Sequence, residues 1–297
     1  MTHWTATLRN WCEMIKFSHS VYALPFALMA TFMAGRNLPG GHPTWIQIVL
    51  IAACMIFARS TAMTFNRIVD AKIDARNPRT QSRAIPAGTI SMRSANLFLG
   101  AGAFGFVLAC GGFWLTDRNR WPMMLAIPVL IYLCGYSYTK RFTRWSHFYL
   151  GSAIALSPVA AWLAIHPASV GWPAAILMAT VTLWIGGFDI IYACQDIEVD
   201  RREGLHSLPS RLGPAGALWI ARAAHVLTVC LLIVLWRVGG LGILYLCGVG
   251  AVAILLLVEN CLVHPNDFSK VKLAFFTMNG LVSLLLGVAA VADVLIG

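Results

Sequence analysis

Residues 46–74 read IQIVLIAACMIFARSTAMTFNRIVDAKID, an apolar run that leads directly into a row of polar side chains. The run over 46–65 is long enough to cross a bilayer as a helix, since one span takes about 20 apolar residues. Asn66, Asp70 and Asp74 follow it, and their four-residue spacing predicts that they share one face of a helix. Because like charges at this spacing repel, the row predicts a ligand that offsets the repulsion.

The composition indicates a protein that resides in lipid. Hydrophobic residues make up 59% of the chain, charged residues 11%, and the mean hydropathy is +0.72, whereas soluble domains carry about 25% charged residues. The alternating segments of about ten residues that a membrane barrel needs are not found. We therefore expect an all-α integral membrane protein that forms a single domain over residues 1–297. Nine apolar runs predict nine transmembrane helices, at roughly 17–35, 46–65, 95–115, 122–138, 148–165, 173–190, 215–236, 241–258 and 273–295.

The distribution of basic residues predicts the orientation. With the N-terminus inside, 16 of the 22 lysines and arginines fall in inner segments and four in outer loops, which is the bias expected for cytoplasmic segments. We expect a multi-pass protein of the inner (cytoplasmic) membrane whose first apolar run is a retained helix, not a cleaved signal. Spans two and six both run inward, which suggests two parallel four-helix halves plus a ninth helix, a repeat architecture known among membrane proteins.

A second acidic row follows span six, in DIIYACQDIEVDRREG (189–204). Asp189, Tyr192, Asp196 and Asp200 are spaced three, four and four, which again predicts one helix face. Carboxylate and amide oxygens suit Mg²⁺, which takes one or two carboxylates and fills its other positions with water and phosphate oxygens. Two such faces opposed across a bundle would hold magnesium ions over a diphosphate. Donors to the remaining phosphate oxygens would be Arg67, Arg79, Arg83, Lys140, Arg141 and Arg201.

Interpretations of the charged residues that involve no binding site stay open at this point. The basic residues could serve only as signals for the cytoplasmic side, and the acids could be solvated helix ends. The eight cysteines are spread singly without zinc-ligand or redox spacing, so we expect buried apolar residues there. The basic residues punctuate loops and form no single patch, so no nucleic-acid partner is expected.

A diphosphate held beside an apolar bundle predicts a substrate with an anionic head and a lipid tail, such as a polyprenyl diphosphate. Metal and cations would stabilise the departing diphosphate, and an electron-rich aromatic ring could attack the allylic cation that is left. The main alternative is an ion- or proton-coupled transporter, which would place its acids near the bilayer midplane on broken helices. A phosphotransferase acting on lipid alcohols is disfavoured, because its DG…AR…G…D arrangement is absent.

At these residues the chain resembles the UbiA family of intramembrane aromatic prenyltransferases, of the 4-hydroxybenzoate polyprenyltransferase type. NRIVDAKID (66–74) matches the first family motif, N-x-x-x-D-x-x-x-D, and DIIYACQDIEVD (189–200) matches the second, D-x-x-Y-x-x-x-D-x-x-x-D. The flanking stretches KFSHSVYALPFAL (16–28), NPRTQSRAIPAG (77–88), YTKRFTRWSH (138–147) and FFTMNG (275–280) are similar as well. The resemblance implies a nine-helix all-α fold, a Mg²⁺-dependent site at the cytoplasmic side, and C-prenylation of an aromatic acceptor.

The resemblance also implies roles for individual residues. One of the carboxylates of the second motif would take the ring proton, and Ala71 departs from related motifs that carry a basic residue there. The implied metal ligands are Asn66, Asp70, Asp74, Asp196 and Asp200, with Asp189 and Tyr192 on the same face as the second pair. The implied diphosphate contacts are Asn66, Arg67, Arg79, Arg83, Lys140 and Arg141.

The aromatic acceptor is left open between two phenolic acids. One is 4-hydroxybenzoate, as in ubiquinone biosynthesis, and the other is a dihydroxynaphthoate of the futalosine route to menaquinone. Lys16, His19 and Asn279 lie where an acceptor carboxylate could be met, although packing could explain His19 and a bond between helices could explain Asn279. No organic cofactor and no obligate protein partner is expected.

Overall fold

The structure is a computed structural model of the 297-residue chain, and it describes residues 11, 13–15 and 22–297 apart from the side chain of Lys272. Within these residues the chain is helical, and its sole β-type pairing is an isolated bridge between His264 and Asp267. The all-α prediction is therefore confirmed.

The helices are numbered here in chain order. They are α1 (Leu24–Gly35), α2 (Trp45–Val69), α3 (Ala71–Arg76), α4 (Met92–Asp117), α5 (Trp121–Thr139), α6 (Ser146–Ile165), α7 (Trp172–Ala193), α8 (Ile197–Arg202), α9 (Leu208–Val238), α10 (Ile243–Leu262) and α11 (Asn279–Ile296). A 3-10 turn, Pro167–Ser169, lies between α6 and α7, and a second, Cys194–Asp196, joins α7 to α8. One helical turn, Val271–Leu273, and one π-helical turn, Ala274–Met278, precede α11.

Eight helical segments in the described part of the chain are long and apolar enough to span a membrane. They are Trp45–Val69, Met92–Asp117, Trp121–Thr139, Ser146–Ile165, Trp172–Arg202, Leu208–Val238, Ile243–Leu262 and Ala274–Ile296. The remaining apolar helix, Leu24–Gly35, is shorter, and part of the predicted span 17–35 lies outside the described residues. The count of nine is therefore not confirmed. Most observed helices run past the predicted spans, because backbone hydrogen bonding continues where the apolar run stops.

The outward faces of these helices are apolar. Leu115 on α4, Ile131 on α5, and Trp172 and Trp219 at α7 and α9 are each more than two-thirds exposed. Monomeric soluble proteins rarely expose large contiguous apolar patches. Together with the eight spans, this surface makes the chain a multi-pass membrane protein.

The chain separates into two compact units, and each is described by itself. The first comprises Met1–Ser20 and Ala52–Ser137, and the second comprises Val21–Ile51 and Tyr138–Gly297. The prediction of a single domain over 1–297, and that of two four-helix halves, both stay predictions.

In the second unit, glycines let α6 and α7 approach closely. A Cβ on Gly151 would lie 2.3 Å from the carbonyl oxygen of Thr182, and one on Gly186 would lie 2.6 Å from the ring of Phe148. Small residues are enriched at such crossings because they allow backbones to pack tightly in lipid. This contact fixes the N-terminal part of α6 against the C-terminal half of α7.

Polar side chains hold the helix ends of the second unit. Ser207 and Ser210 form a reciprocal cap at the start of α9, which satisfies backbone N–H groups that lack helical partners. Asp293 on α11 accepts hydrogen bonds from the backbone N–H groups of Gly242 (2.6 Å) and Tyr245 (3.2 Å) at the start of α10. The carboxylate on α11 therefore caps the start of α10, the helix that precedes it.

Candidate active site

The first acidic row lies where α2 gives way to α3 in the first unit. The backbone N–H of Asp70 donates to the carbonyl of Asn66 (2.9 Å), and that of Asp74 donates to the carbonyl of Asp70 (2.8 Å). The four-residue helical repeat therefore continues through the break between the two helices. All three side chains are buried, and Asp70 is only 2% exposed.

Asn66 and Asp70 contact each other directly. Asn66 Nδ2 donates to Asp70 Oδ2 at 2.9 Å and also lies 3.4 Å from the hydroxyl oxygen of Ser137 on α5. Because a carboxylate accepts but does not donate, this bond fixes which way the amide points. Asn66 Oδ1 is left without a hydrogen-bond partner among the described residues. It is a neutral oxygen held next to a buried carboxylate.

Asp74 is paired with a predicted phosphate donor. Arg83 Nη1 lies 2.7 Å from Oδ1 and 2.8 Å from Oδ2 of Asp74. The main-chain carbonyl of Asp74 accepts from the hydroxyl of Thr80 (3.1 Å), which ties the loop that carries Arg83 to the end of the row. A cation of this chain therefore offsets part of the like-charge repulsion that the spacing implies.

The other two predicted arginines of this unit lie in different environments. Arg67 is buried, its Nε donates to the carbonyl of Met14 (3.3 Å), and Asp70, Asp74 and Arg83 lie within electrostatic reach. Arg79 is exposed on the loop after α3. The structure thus brings Arg67 and Arg83 to the first row and places the side chain of Arg79 at the surface.

The second acidic row is helical but not one straight helix. Asp189 lies on α7, Asp196 ends the 3-10 turn, and Asp200 lies on α8. A 3-10 turn winds more tightly than an α-helix, so the row is not α-helical throughout. That its four side chains share one helix face stays a prediction.

Asp200 is the most enclosed acid of the second row. It is buried, its carboxylate accepts a hydrogen bond from the side chain of Ser207, and Lys140 and Asp196 are its charged neighbours. Lys140 is held there by its own backbone, since its carbonyl accepts from the N–H of His206 (2.6 Å). The loop after α8 therefore brings Lys140 and Asp200 to one place.

The remaining basic residues of this unit differ from Lys140. Arg141 is exposed and its guanidinium lies 5.2 Å from the ring centroid of Tyr138, a cation–π contact. Arg201 Nε donates to the carbonyl of Ser210 (3.0 Å) and so bridges α8 and α9. Arg141 and Arg201 therefore each contact a local structural partner, and neither contact involves an acid of the second row.

Sequence reasoning missed His147. It is the second residue of α6 and is 4% exposed. Its Nδ1 lies 2.7 Å from Oδ2 of Asp189, and its Nε2 accepts from the backbone N–H of Leu208 (3.3 Å). His147 is the last residue of YTKRFTRWSH (138–147), one of the stretches that carries the family resemblance. That stretch drew attention to this part of the chain, but nothing in it indicated a contact between His147 and Asp189.

Aromatic rings continue from the second row into the bundle. Tyr192 lies 4.3 Å from Phe275 between ring centroids, Phe275 lies 5.2 Å from Phe188, and Phe188 lies 5.2 Å from Trp184. Phe26 of α1 packs on Trp184 at 5.1 Å. These rings form an apolar wall that starts at Tyr192, one turn from Asp189.

Asn279 is occupied by protein partners. It is fully buried, its Nδ2 donates to Glu259 Oε1 (2.7 Å) and to the carbonyl of Ala274 (3.1 Å), and its Oδ1 accepts from Trp184 Nε1 (2.7 Å). The geometry favours the bond between helices that the sequence left open. The other two predicted acceptor contacts, Lys16 and His19, lie outside the described residues.

The donor set of the two rows fits a hard cation. No cluster of three or more His, Cys, Asp or Glu side chains in a metal-binding arrangement occurs among the residues that the structure describes. Magnesium does not need one, because it usually takes one or two carboxylates and completes its shell with water and phosphate. The oriented Oδ1 of Asn66 beside Asp70 supplies oxygen ligands of the kind that Mg²⁺ prefers.

The chain matches the model of the UbiA prenyltransferase family over residues 23–281. It is 27% identical over 241 residues to a 4-hydroxybenzoate octaprenyltransferase of Nitrosospira multiformis, covering 80% of each chain. It is 29% identical over 284 residues to a protoheme IX farnesyltransferase of Gloeobacter violaceus, covering 91% of this chain and 87% of that one. It spans only 44% of the mitochondrial 4-hydroxybenzoate polyprenyltransferase of Arabidopsis thaliana, at 29% identity over 182 residues that make up 61% of this chain.

Solved structures show the same fold. The structure of a UbiA homologue from Aeropyrum pernix superposes with a TM-score of 0.82 at 28% identity, covering 93% of this chain and 98% of that one. A UbiA homologue from Archaeoglobus fulgidus, solved with DMAPP and Mg²⁺, has a TM-score of 0.69 at 17% identity, covering 97% of this chain and all of that one. These matches and the family model, which covers most of the chain, agree with the two motifs. The chain belongs to the UbiA prenyltransferase family and is a membrane enzyme that transfers prenyl groups.

Proposed function

We propose that this enzyme transfers a polyprenyl group from a polyprenyl diphosphate to a ring carbon of a phenolic aromatic acid of the 4-hydroxybenzoate type. The observation that carries this proposal is the pairing of buried carboxylates with cations that match a phosphate, above all Arg83 on Asp74. The relatives named for 4-hydroxybenzoate support the acceptor, and the homologue solved with a prenyl diphosphate and Mg²⁺ supports the donor class.

In this proposal Asn66, Asp70, Asp74, Asp196 and Asp200 hold Mg²⁺. The bound metal would neutralise charge that develops on the leaving diphosphate. Arg83 and Arg67 then donate to phosphate oxygens on the side of the first row, and Lys140 does so on the side of the second. Arg79, Arg141 and Arg201 remain weaker candidates, because two of them are exposed and the third is bonded to Ser210.

The reaction follows from what these side chains can stabilise. The carbon–oxygen bond breaks with its electron pair on the diphosphate, and the prenyl chain keeps an allylic cation. A pair of ring π electrons forms the new carbon–carbon bond, and loss of the ring proton restores aromaticity. The aromatic wall from Tyr192 to Trp184 would exclude water from the cation, and a carboxylate of the second row would accept the ring proton.

The cytoplasmic side of the inner membrane is the proposed location of the site. Sixteen of the 22 basic residues fall in the segments that would lie on that side, as the positive-inside rule expects. Prenyl diphosphates are anionic, so a membrane face rich in basic residues would attract them.

Membranes that contain the chain provide the test. They are incubated with a radiolabelled prenyl diphosphate, Mg²⁺ and one acceptor at a time: 4-hydroxybenzoate, a dihydroxynaphthoate or haem. We expect label on 4-hydroxybenzoate, and none with EDTA or with membranes that lack the protein. Transfer to the dihydroxynaphthoate alone would favour the alternative acceptor, that of the menaquinone route. Transfer to haem alone would refute a phenolic acceptor. The absence of transfer to any acceptor would refute the proposed reaction.

A further inference from the structure

Two hydrogen bonds fix the protonation of the His147 ring. Its Nε2 accepts from the backbone N–H of Leu208 at 3.3 Å, so that nitrogen carries no proton. In the neutral ring the proton must then be on Nδ1, which faces Asp189 Oδ2 at 2.7 Å. When one ring nitrogen is held by a bond, the other is fixed in its role.

The surroundings keep this arrangement in place. His147 is buried, and Ser207, next to Leu208, caps α9. The close approach of Gly151 to α7 holds the N-terminal part of α6, which carries His147, against α7. Asp189 is about one-quarter exposed at its side chain, and its Oδ1 has no hydrogen-bond partner among the described residues. One carboxylate oxygen is therefore held from within the protein, and no described residue holds the other.

We propose that His147 is a positioning residue that holds Asp189 as the carboxylate that removes the ring proton. The inference rests on the proposed function and deepens it by naming the proton acceptor and its support. The ring C–H bond breaks, its electrons return to the ring, and the proton moves to Asp189 Oδ1. His147 donates to Oδ2 throughout and stays neutral, because taking a proton on Nε2 would break the bond from Leu208. The proton leaves Asp189 for the released diphosphate or for water.

The kinetic test uses 4-hydroxybenzoate deuterated at both ring positions beside the hydroxyl. In the wild type we expect departure of the diphosphate to limit the rate, which would make the isotope effect small. In His147→Ala we expect kcat to fall about 10–100-fold, as for a misplaced catalytic group, with a clear isotope effect and an unchanged KM for the prenyl diphosphate. A fall without an isotope effect, or a changed KM for the diphosphate in its place, would overturn the proposal.

Two near-isosteric variants separate positioning from folding. In His147→Asn the amide nitrogen falls near the place of Nδ1 and can donate to Asp189, so most of the activity returns. In His147→Gln the amide nitrogen falls near the place of Nε2, so the variant behaves like His147→Ala. Equal activities of the two variants would contradict the assignment. His166→Ala, at the opposite end of α6, is the control for loss of a histidine from the same helix and keeps wild-type kinetics.

A spectroscopic measurement tests the pair apart from turnover. Nitrogen-15 spectra of protein labelled in histidine are compared with those of His147→Asn, and the signal that disappears is that of His147. We expect it to be a neutral ring with the proton on Nδ1, and its shift to change in Asp189→Asn. A proton on Nε2 would overturn the inference whatever the acceptor proves to be, whereas absence of prenyl transfer by the wild type would refute the proposed function alone.

Discussion

One nitrogen of Arg83, Nη1, lies 2.7 and 2.8 Å from the two carboxylate oxygens of Asp74, and the aspartate side chain is 7% exposed. A buried carboxylate needs a partner, and a charge-assisted bond to arginine supplies it. The same guanidinium has the right chemistry for a phosphate. Substrate and metal would therefore replace a contact that already exists within the chain.

The Arg83 pair leads to the first prediction. Arg83→Gln should raise the KM for the prenyl diphosphate about 10–100-fold, because a hydrogen bond to a charged group is worth about 1.5–3 kcal/mol. The KM for the aromatic acceptor should change little. Arg93→Gln removes an exposed arginine from the first turn of α4 and should leave both constants as they are; initial rates in detergent measure them. An unchanged diphosphate KM in Arg83→Gln would contradict the assigned contact.

The acids of the two rows give the second prediction. Asp70→Asn or Asp196→Asn should lower turnover by roughly 10²-fold or more, as loss of one preorganised charge-stabilising group does, while membrane insertion and expression stay normal. Asp117→Asn, an exposed acid at the end of α4, is the control. Rates are measured over a range of Mg²⁺ concentrations. Near-normal activity of either variant at low Mg²⁺ would refute the assignment of these aspartates as metal ligands.

Asn279 separates a structural role from a substrate role. Asn279→Leu leaves Glu259 and Trp184 without their shared partner, so we expect a loss of about 1–3 kcal/mol in unfolding free energy, seen as a lower thermal midpoint in detergent. Glu259→Gln keeps an acceptor for the Asn279 amide and should be nearly neutral. If Asn279→Leu kept its thermal midpoint but lost affinity for the aromatic acid, the acceptor contact predicted from the sequence would be the correct one.

The crossing of α6 and α7 gives a prediction about folding. Gly151→Ala places a methyl group 2.3 Å from the carbonyl oxygen of Thr182, and the backbone must shift to relieve it, at a cost of typically about 1–3 kcal/mol. Gly100→Ala on α4, where a Cβ meets nothing within 4 Å, should be neutral or slightly stabilising. Thermal unfolding of the two variants side by side measures the difference. A separation of α6 from α7 should also weaken the His147–Asp189 bond and lower kcat.

The sequence by itself determined the class of fold, the family and the identity of the two acidic rows. Hydropathy is a property of local composition, so the spans from residue 45 to 296 were predictable within a few residues at most ends. Motif spacing is local as well, and i, i+4 neighbours such as Asn66 and Asp70 are brought together by the helix itself.

Only the tertiary structure decided which partner each polar side chain takes. His147 meets Asp189 across 42 residues, and Asn279 meets Trp184 across 95; no local pattern encodes such contacts, because they depend on how α6, α7 and α11 pack. The 3-10 turn at Cys194–Asp196 likewise departs from the repeat that the spacing suggested. Composition assigns residues to a lipid or polar environment, whereas the directional hydrogen bonds that make a site need the helices to be in place.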